Sequence, residues 1–175
     1  MGVRAVWSAF FGKNGYRRAS ACGGLFFLAL ASGAAGAPPV DQGAVSADGT
    51  VITLTQTGCQ FIEAEGGIDH GYTATKKADC IGINTKTGEE RIQKGGPLTL
   101  KPGKYIFRVT NRDVPYELGF WLRGVGLARF VQPNVSGGGL TQGVTRDYAV
   151  ELTAGEYLYS CPLNPTPDYP LIVKE

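Results

Sequence analysis

Apolar and polar residues alternate with a period of two through most of the chain after residue 50. The alternating segments are short, and each is bounded by Gly, Pro, Asn or Asp, which is typical of β-strands separated by turns. They read GTVITLTQTG, GPLTLKPG, GKYIFRVTN, YELGFWLRG, TRDYAVELTAG, GEYLYSC and YPLIVKE. No long amphipathic helix is indicated. The pattern predicts an all-β fold, a two-sheet antiparallel sandwich with Greek-key connections.

The same periodicity predicts which side chains form the core and where the chain turns. Pro-Gly at 102–103 and Ala-Gly at 154–155 are hairpin-like, and Gly103 and Gly155 are expected to have positive φ. The predicted core consists of Leu100, Tyr105, Phe107, Val109, Leu118, Phe120, Val150, Leu152, Tyr157, Leu171 and Val173.

One stretch does not fit the strand pattern. Residues 63–96 are polar and rich in Gly, with at most one short helix predicted near residues 75–84. A connection this long is unusual in a compact domain. We interpret residues 63–96 as a polar insertion after the first strand.

The N-terminus predicts export. Residues 1–37 contain four basic residues and no acid, then the apolar run GGLFFLALA and small residues ending in SGAAGA, the pattern of a secretory signal peptide. We therefore predict a signal peptide at 1–37, a linker at 38–50 and one domain at 51–175, in a periplasmic or secreted protein. No later apolar run is long enough to span a membrane.

Removal of this segment changes the charge of the protein. The chain has 17 basic and 15 acidic residues, so loss of four basic residues leaves 13 against 15, a net charge of about −2. No Lys/Arg cluster remains that would indicate nucleic acid or an anionic membrane surface as a partner. No Ser/His/Asp order, phosphate-binding glycine loop or HExxH motif is present, so we do not expect an enzyme.

Several of these segments together resemble a known family. The succession LTLKPGKYIFRVTN, an aromatic-rich strand, and VELTAGEYLYSCPL followed by YPLIV is similar to the cupredoxins. The resemblance implies a cupredoxin-like Greek-key sandwich. A blue-copper site needs two imidazoles, a thiolate and a weak axial ligand. In this chain Tyr116 and Asn164 occupy the two histidine positions, Met1 is the only Met and His70 the only His, so the chain cannot supply those ligands by itself.

A narrower resemblance implies a different metal site. TQTGCQF, VPYELGFWL and GEYLYSCPL are similar to the histidine-poor cupredoxin domain of EfeO-type periplasmic iron-uptake proteins. Carried over position by position, the implied ligands are Cys59, Glu117, Tyr159 and Cys161. The alternative for Glu117 is an outward-facing surface carboxylate. His70 is either a further ligand or a solvated loop residue.

The cysteines beyond residue 37 are three, so one disulfide and one free thiol are expected in an oxidising compartment. We favour a structural Cys59–Cys80 disulfide, which would close a loop of the insertion and leave Cys161 free. The EfeO-like resemblance would also allow Cys59–Cys161. A free Cys161 is then either buried and inert or a metal ligand.

Two functions follow from this reasoning. The first is an exported cupredoxin-like protein with a degenerate type 1 copper site, binding copper or iron through Cys, Glu and Tyr ligands for electron transfer or metal handling. The alternative is a metal-free cupredoxin-like binding or accessory module, with no cofactor. In either case we expect the partner to be a periplasmic redox or metal-handling protein.

Overall fold

The computed structural model describes residues 42–46 and 49–175, and the predicted signal segment 1–37 lies outside them. Ten strands and one long helix are formed in these residues. The strands are β1 (Gln42–Ser46), β2 (Gly49–Thr57), β3 (Gln60–Phe61), β4 (Leu98–Leu100), β5 (Gly103–Asn111), β6 (Leu118–Gly124), β7 (Val135–Leu140), β8 (Thr145–Leu152), β9 (Gly155–Ser160) and β10 (Tyr169–Val173), and the helix is α1 (Lys77–Gly95).

The strands form two sheets, which confirms the predicted all-β sandwich. The first sheet has the order β1-β2-β5-β8, with β3 paired to β2, and the second has the order β4-β10-β9-β6-β7. Half of the strand pairs join strands that are not consecutive in the chain, namely β2-β5, β5-β8, β4-β10 and β6-β9, as Greek-key connections require. The expectation of purely antiparallel sheets is wrong, because β2 pairs with β5 and β4 pairs with β10 in parallel.

The two predicted hairpins are corners between the sheets. β4 lies in the second sheet and β5 in the first, and β8 and β9 are divided in the same way. Gly103 and Gly155 have φ of 155° and 152°, so the predicted positive φ is confirmed at both. The glycines allow the chain to turn from one sheet into the other. The sequence alone does not distinguish such a turn from a hairpin within one sheet.

The core lies between the two sheets and matches the predicted set closely. All the predicted residues are buried except Val150, which is half-buried against the cluster. Aromatic rings fill the centre, with Phe120 stacked on Phe107 and edge-on to Phe61. The period-two pattern therefore identified the inward face of most strands correctly.

Residues 63–96 contain much more regular structure than we predicted. A 3-10 turn at Glu63–Glu65 is followed by the 19-residue helix α1. The helix has little apolar surface, and its buried residues are Cys80, Gly88 and Arg91. Since these are a disulfide cysteine, a glycine packed near the Pro167 ring and a buried cation, tertiary contacts rather than an apolar face fix the helix.

The predicted linker 38–50 contains an edge strand. β1 pairs antiparallel with β2, with Ser46 opposite Gly49. In the part of the chain that the structure describes, no helix is both long and apolar enough to cross a membrane.

Candidate functional site

One end of the sandwich brings together Cys161 and the two positions, Tyr116 and Asn164, where the cupredoxin resemblance implies histidines. β2 and β5 end side by side, with Gln56 opposite Asn111. β6 begins at the same end, and Cys161 follows β9 there, since Ser160 is paired with Trp121 of β6. We call the group formed here by Gln56, Tyr116, Cys161 and Asn164 the Cys161 cluster.

Asn111 organises the turn that carries Tyr116. Its side chain is fully buried, and its amide nitrogen donates to the carbonyl oxygens of Val114 and Leu140, both at 3.0 Å. Its side-chain oxygen accepts the N–H of Val114 at 2.9 Å. A buried amide satisfied in this way fixes the following turn, because each bond would be costly to leave unmade. Sequence reasoning noted the Val-Thr-Asn motif but not this role.

Cys161 is a buried free thiol held by backbone donors. Its Sγ accepts the N–H of Gly119 at 3.3 Å and that of Asn164 at 3.2 Å. Burial raises the thiol pKa, and these backbone donors together with the Gln56 side chain only partly counter that effect. The group is therefore a neutral thiol at neutral pH, in a loop fixed further by the Cys161 N–H, which donates to Thr166 Oγ1.

Tyr116 and Asn164 occupy the positions where the family resemblance implies histidines, and they bind each other. The Tyr116 hydroxyl donates to Asn164 Oδ1 at 2.9 Å, and Asn164 Nδ2 donates to the Thr57 carbonyl oxygen at 3.1 Å. Desolvation is the main cause that raises the Tyr116 pKa. The two side chains that would face a metal in a cupredoxin are thus already engaged in hydrogen bonds within the protein.

The Cys59–Cys80 disulfide is present, as predicted, and lies beside this cluster. The bond joins the turn between β2 and β3 to α1 across 21 residues, with the Cα atoms 4.9 Å apart. Cys80 Sγ lies 2.8 Å from Asn164 Oδ1, a contact without a hydrogen because the sulfur is oxidised. Cys59 has φ of 64°, the left-handed region. Its sulfur is bonded to Cys80, so the implied role of Cys59 as a thiolate ligand does not hold in this structure.

The structure does not bring together the four residues implied as metal ligands. Glu117 is exposed and accepts the Gly139 N–H at 2.7 Å, which is its outward-facing alternative. Tyr159 is buried among aromatic rings, 5.5 Å from the ring of Tyr169, and desolvation raises its pKa well above the usual range. Among the described residues, no three His, Cys, Asp or Glu side chains are grouped as a metal site.

Gln56 is a member of the cluster that sequence reasoning missed. The residue is fully buried, and its Nε2 donates to the Gly119 carbonyl oxygen at 2.9 Å. Its Oε1 is buried without a hydrogen-bond partner in the structure. The sequence signal that could have identified Gln56 is its position on the inward-facing side of β2, where the buried residues before it are apolar.

A second buried polar group, also missed, connects residues 63–96 to the sandwich. The carboxylate of Glu65 lies 3.3 Å from Arg91 Nη1 and 2.9 Å from His70 Nε2, and it accepts the hydroxyl of Tyr169. His70, which we considered as a ligand or a solvated residue, instead pairs with Glu65 and stacks on Tyr72. No local sequence pattern indicates that Glu65 contacts residues as distant along the chain as Arg91 and Tyr169.

An open cleft lies next to the Cys161 cluster, with a volume of about 370 Å³. It is lined by residues 57–58, 71–75 and 112–115 together with Asp69. Asp69 and Asp113 both pair with Arg112. The hydrogen bond from Arg112 is the main cause that lowers the Asp69 pKa, so the rim carries fixed charges at neutral pH.

Comparisons with known proteins give only distant likenesses. No protein-family model and no curated protein matches the chain. Solved structures that match include an oxidised amicyanin mutant, at 20% identity over 45% of this chain and 69% of that one, with a TM-score of 0.31. A reduced amicyanin mutant matches at 19% identity over 46% and 71%, with a TM-score of 0.28. A rusticyanin mutant matches at 14% identity over 77% and 88%, with a TM-score of 0.36.

Amicyanin and rusticyanin are both cupredoxins. These likenesses concern the fold alone. The narrower resemblance to EfeO-type proteins stays a prediction.

Proposed function

We propose that this protein is an exported, metal-free cupredoxin-like binding module rather than an electron carrier. The observation that carries the proposal is the hydrogen bond between Tyr116 and Asn164, the residues at the two implied histidine positions. These side chains satisfy each other, and the backbone N–H groups of Gly119 and Asn164 satisfy Cys161. The cluster supports a rigid end of the sandwich.

A type 1 copper ion does not fit the residues present. The site would need two imidazoles beside the thiolate and a weak axial ligand. A phenol and an amide stand at the two imidazole positions, and His70 is paired with Glu65. We therefore derive no electron-transfer step through such an ion.

We infer that the binding surface is the cleft beside the cluster. Its wall at residues 57–58 adjoins the Cys59–Cys80 disulfide, and its rim carries the Asp69–Arg112–Asp113 pairs. Preorganisation of this kind lowers the entropy lost when a partner binds. We propose a polar segment of an exported redox or metal-handling protein as its partner.

Metal handling at Cys161 is the second candidate, and the unpartnered Gln56 Oε1 favours it. This oxygen is buried, and hydrogen bonding from the Gln56 side chain is among the causes that partly offset the raised pKa of the Cys161 thiol. A thiolate with an amide oxygen could hold copper or iron without imidazole. Glu117 and Tyr159 would have to move from their present contacts to complete the originally implied ligand set.

Metal analysis of the purified protein separates the two candidates. We expect no stoichiometric copper or iron, and no intense absorption at about 600 nm after addition of Cu(II), since that band requires a trigonal His₂Cys centre. The matched variant is Cys161→Ser, which should leave the small amount of bound metal unchanged. Stoichiometric metal that is lost in Cys161→Ser would reject the metal-free proposal and support the second candidate.

A further inference from the structure

An exposed apolar turn, residues 125–131, follows β6. Leu127 is 84% exposed, Phe130 70% and Val131 85%, and Val125 at the start of the turn is 38% exposed. In the described part of the chain, seven large apolar side chains are exposed, and four of them are in this turn. Single exposed apolar residues need no explanation, but a cluster of this kind marks an interaction site.

The turn is held in a fixed shape, so the exposure is a property of the fold. The N–H of Val125 donates to the Glu156 carbonyl oxygen at 3.1 Å, and that of Gln132 donates to the Ala128 carbonyl oxygen at 2.8 Å. The Gln132 side chain packs against Gly155, where an added Cβ would lie 2.0 Å from Gln132 Nε2. The apolar side chains of the turn therefore point outward on an anchored backbone.

The charge of the turn is positive. Arg129 is exposed, with its guanidinium 4.7 Å from the centre of the Phe130 ring. The sequence contains no Asp or Glu between Glu117 and Asp147, and Glu156 on β9 is the acidic residue that backbone bonding places beside the turn. A cation among exposed apolar side chains matches an anionic surface with an apolar interior.

The turn and the Cys161 cluster lie at opposite ends of β6. Gly119, near the start of the strand, contacts Cys161 Sγ, and Gly124, at its end, packs against the turn. Gly124 lies five positions after Gly119, a distance of about 17 Å along the strand at about 3.3 Å per residue. A surface bound by the turn would leave the candidate site accessible at the far end.

We propose that the turn anchors the protein at the surface of an anionic lipid membrane. Leu127, Phe130 and Val131 enter the headgroup region, and Arg129 pairs with lipid phosphates while its stem stays among apolar groups. Lipid accepts separate projecting side chains without a complementary pocket, whereas a protein partner would have to supply one. The proposal goes beyond the proposed function and does not depend on whether Cys161 binds metal.

Vesicle co-sedimentation of the exported, purified protein tests the proposal. The probe is a vesicle of phosphatidylcholine and phosphatidylglycerol in equal parts, at millimolar lipid. Replacement of both Leu127→Ser and Phe130→Ser should lower the partition coefficient by at least about tenfold, because two large apolar side chains no longer leave water. The matched control is Ile68→Ser with Ile81→Ser, two exposed isoleucines outside the turn, which should bind as wild type does. Wild type and variants are purified with the same N-terminus, so any difference in vesicle binding is caused by the substituted residues.

Two further variants separate insertion from simple attraction. Arg129→Gln should weaken binding to anionic vesicles and reduce its salt dependence, with no effect on binding to pure phosphatidylcholine. The indole introduced by Phe130→Trp should shift its emission maximum to shorter wavelength when vesicles are added. Brominated lipid should quench this emission. Absence of wild-type binding, equal binding by the Leu127/Phe130 variant, or loss only of self-association in sedimentation velocity would each overturn the proposal.

Discussion

Substitution of Glu65 tests most directly which contacts hold residues 63–96 against the sandwich. Its side chain is 1% exposed and faces three donors, Arg91, His70 and Tyr169, from three parts of the chain. A carboxylate this deeply buried is tolerated because its charge is paired and its oxygens are hydrogen-bonded.

The perturbation is Glu65→Gln, which preserves volume and an acceptor oxygen but removes the charge. The Arg91 guanidinium, 4% exposed, would then have no carboxylate partner and would contact neutral groups alone, among them the Asn84 side-chain oxygen and the face of the Tyr72 ring. Removal of one partner of a buried ion pair costs about 3–5 kcal/mol. Because Arg91 keeps these neutral contacts, the expected loss of unfolding free energy is about 3 kcal/mol, the lower limit of that range.

A double-mutant cycle shows whether the cost comes from the unpaired charge. With Arg91→Met added to Glu65→Gln, no buried cation remains, and the amide oxygen introduced at position 65 can still accept from the Tyr169 hydroxyl. The double variant should therefore be more stable than Glu65→Gln alone. The surface control is Glu90→Gln, whose partner Lys94 lies 2.6 Å away with both side chains mostly exposed, and which should lower the unfolding free energy much less than Glu65→Gln does.

The assay is urea unfolding at neutral pH, followed by far-ultraviolet circular dichroism and extrapolated linearly to water. The reasoning is refuted if Glu65→Gln costs no more than Glu90→Gln. It is also refuted if the double variant is no more stable than Glu65→Gln, since the loss would then not arise from a stranded charge.

The remaining predictions concern the Cys161 cluster and two glycines. Asn164→Ala should lower the unfolding free energy by about 1–3 kcal/mol in urea, because it leaves buried groups without their hydrogen bonds; no measurable loss would contradict the cluster. Cys161 should not react with a thiol reagent at pH 7.5 until the protein is unfolded, since burial raises its pKa, and rapid labelling of native protein would show that the thiol is accessible. Burial raises the pKa of both Cys161 and Tyr169 in the folded protein. Their contribution to the unfolding free energy should therefore be complete below the thiol pKa of the unfolded chain, about 8.5, and should decrease as the pH rises above that value. Cys161→Ala should make the first part of this decrease less steep. Gly58→Ala should destabilise by more than about 1 kcal/mol because its Cβ would lie 2.0 Å from a loop carbonyl oxygen, whereas Gly82→Ala, with open space around it in α1, should stabilise by up to about 1 kcal/mol; equal effects in thermal unfolding would argue against this packing.

Much of the sandwich could be predicted because strand residues report their own environment. Val109 and Leu152 have polar neighbours on both sides in the sequence, and both are buried. Gly103 was predicted at positive φ from turn chemistry alone, and this is confirmed. The pairing of the strands was not predicted correctly. The alternation of apolar and polar residues in one strand does not indicate which other strand it pairs with.

The helix and the candidate site were predicted less well. The helix α1 contains three glycines and little apolar surface, so its sequence lacks the periodicity that marks a helix, and the Cys59–Cys80 bond and the Glu65–Arg91 pair fix it instead. The implied ligand set was derived position by position from a family, and it could not show that Glu117 faces outward or that Tyr159 lies in the aromatic core.

The local properties of this protein could be read from its sequence: the strands, most of the inward-facing side chains, the absence of two imidazoles for copper, and the favoured Cys59–Cys80 pair. The parallel pairing of β2 with β5, the hydrogen bond from Tyr116 to Asn164, and the burial of Glu65 against Arg91 became visible in the folded chain alone. The difference arises because periodicity and turn chemistry act over a few residues. Hydrogen bonds and buried ion pairs, by contrast, join residues that are tens of positions apart and become adjacent only when the chain folds.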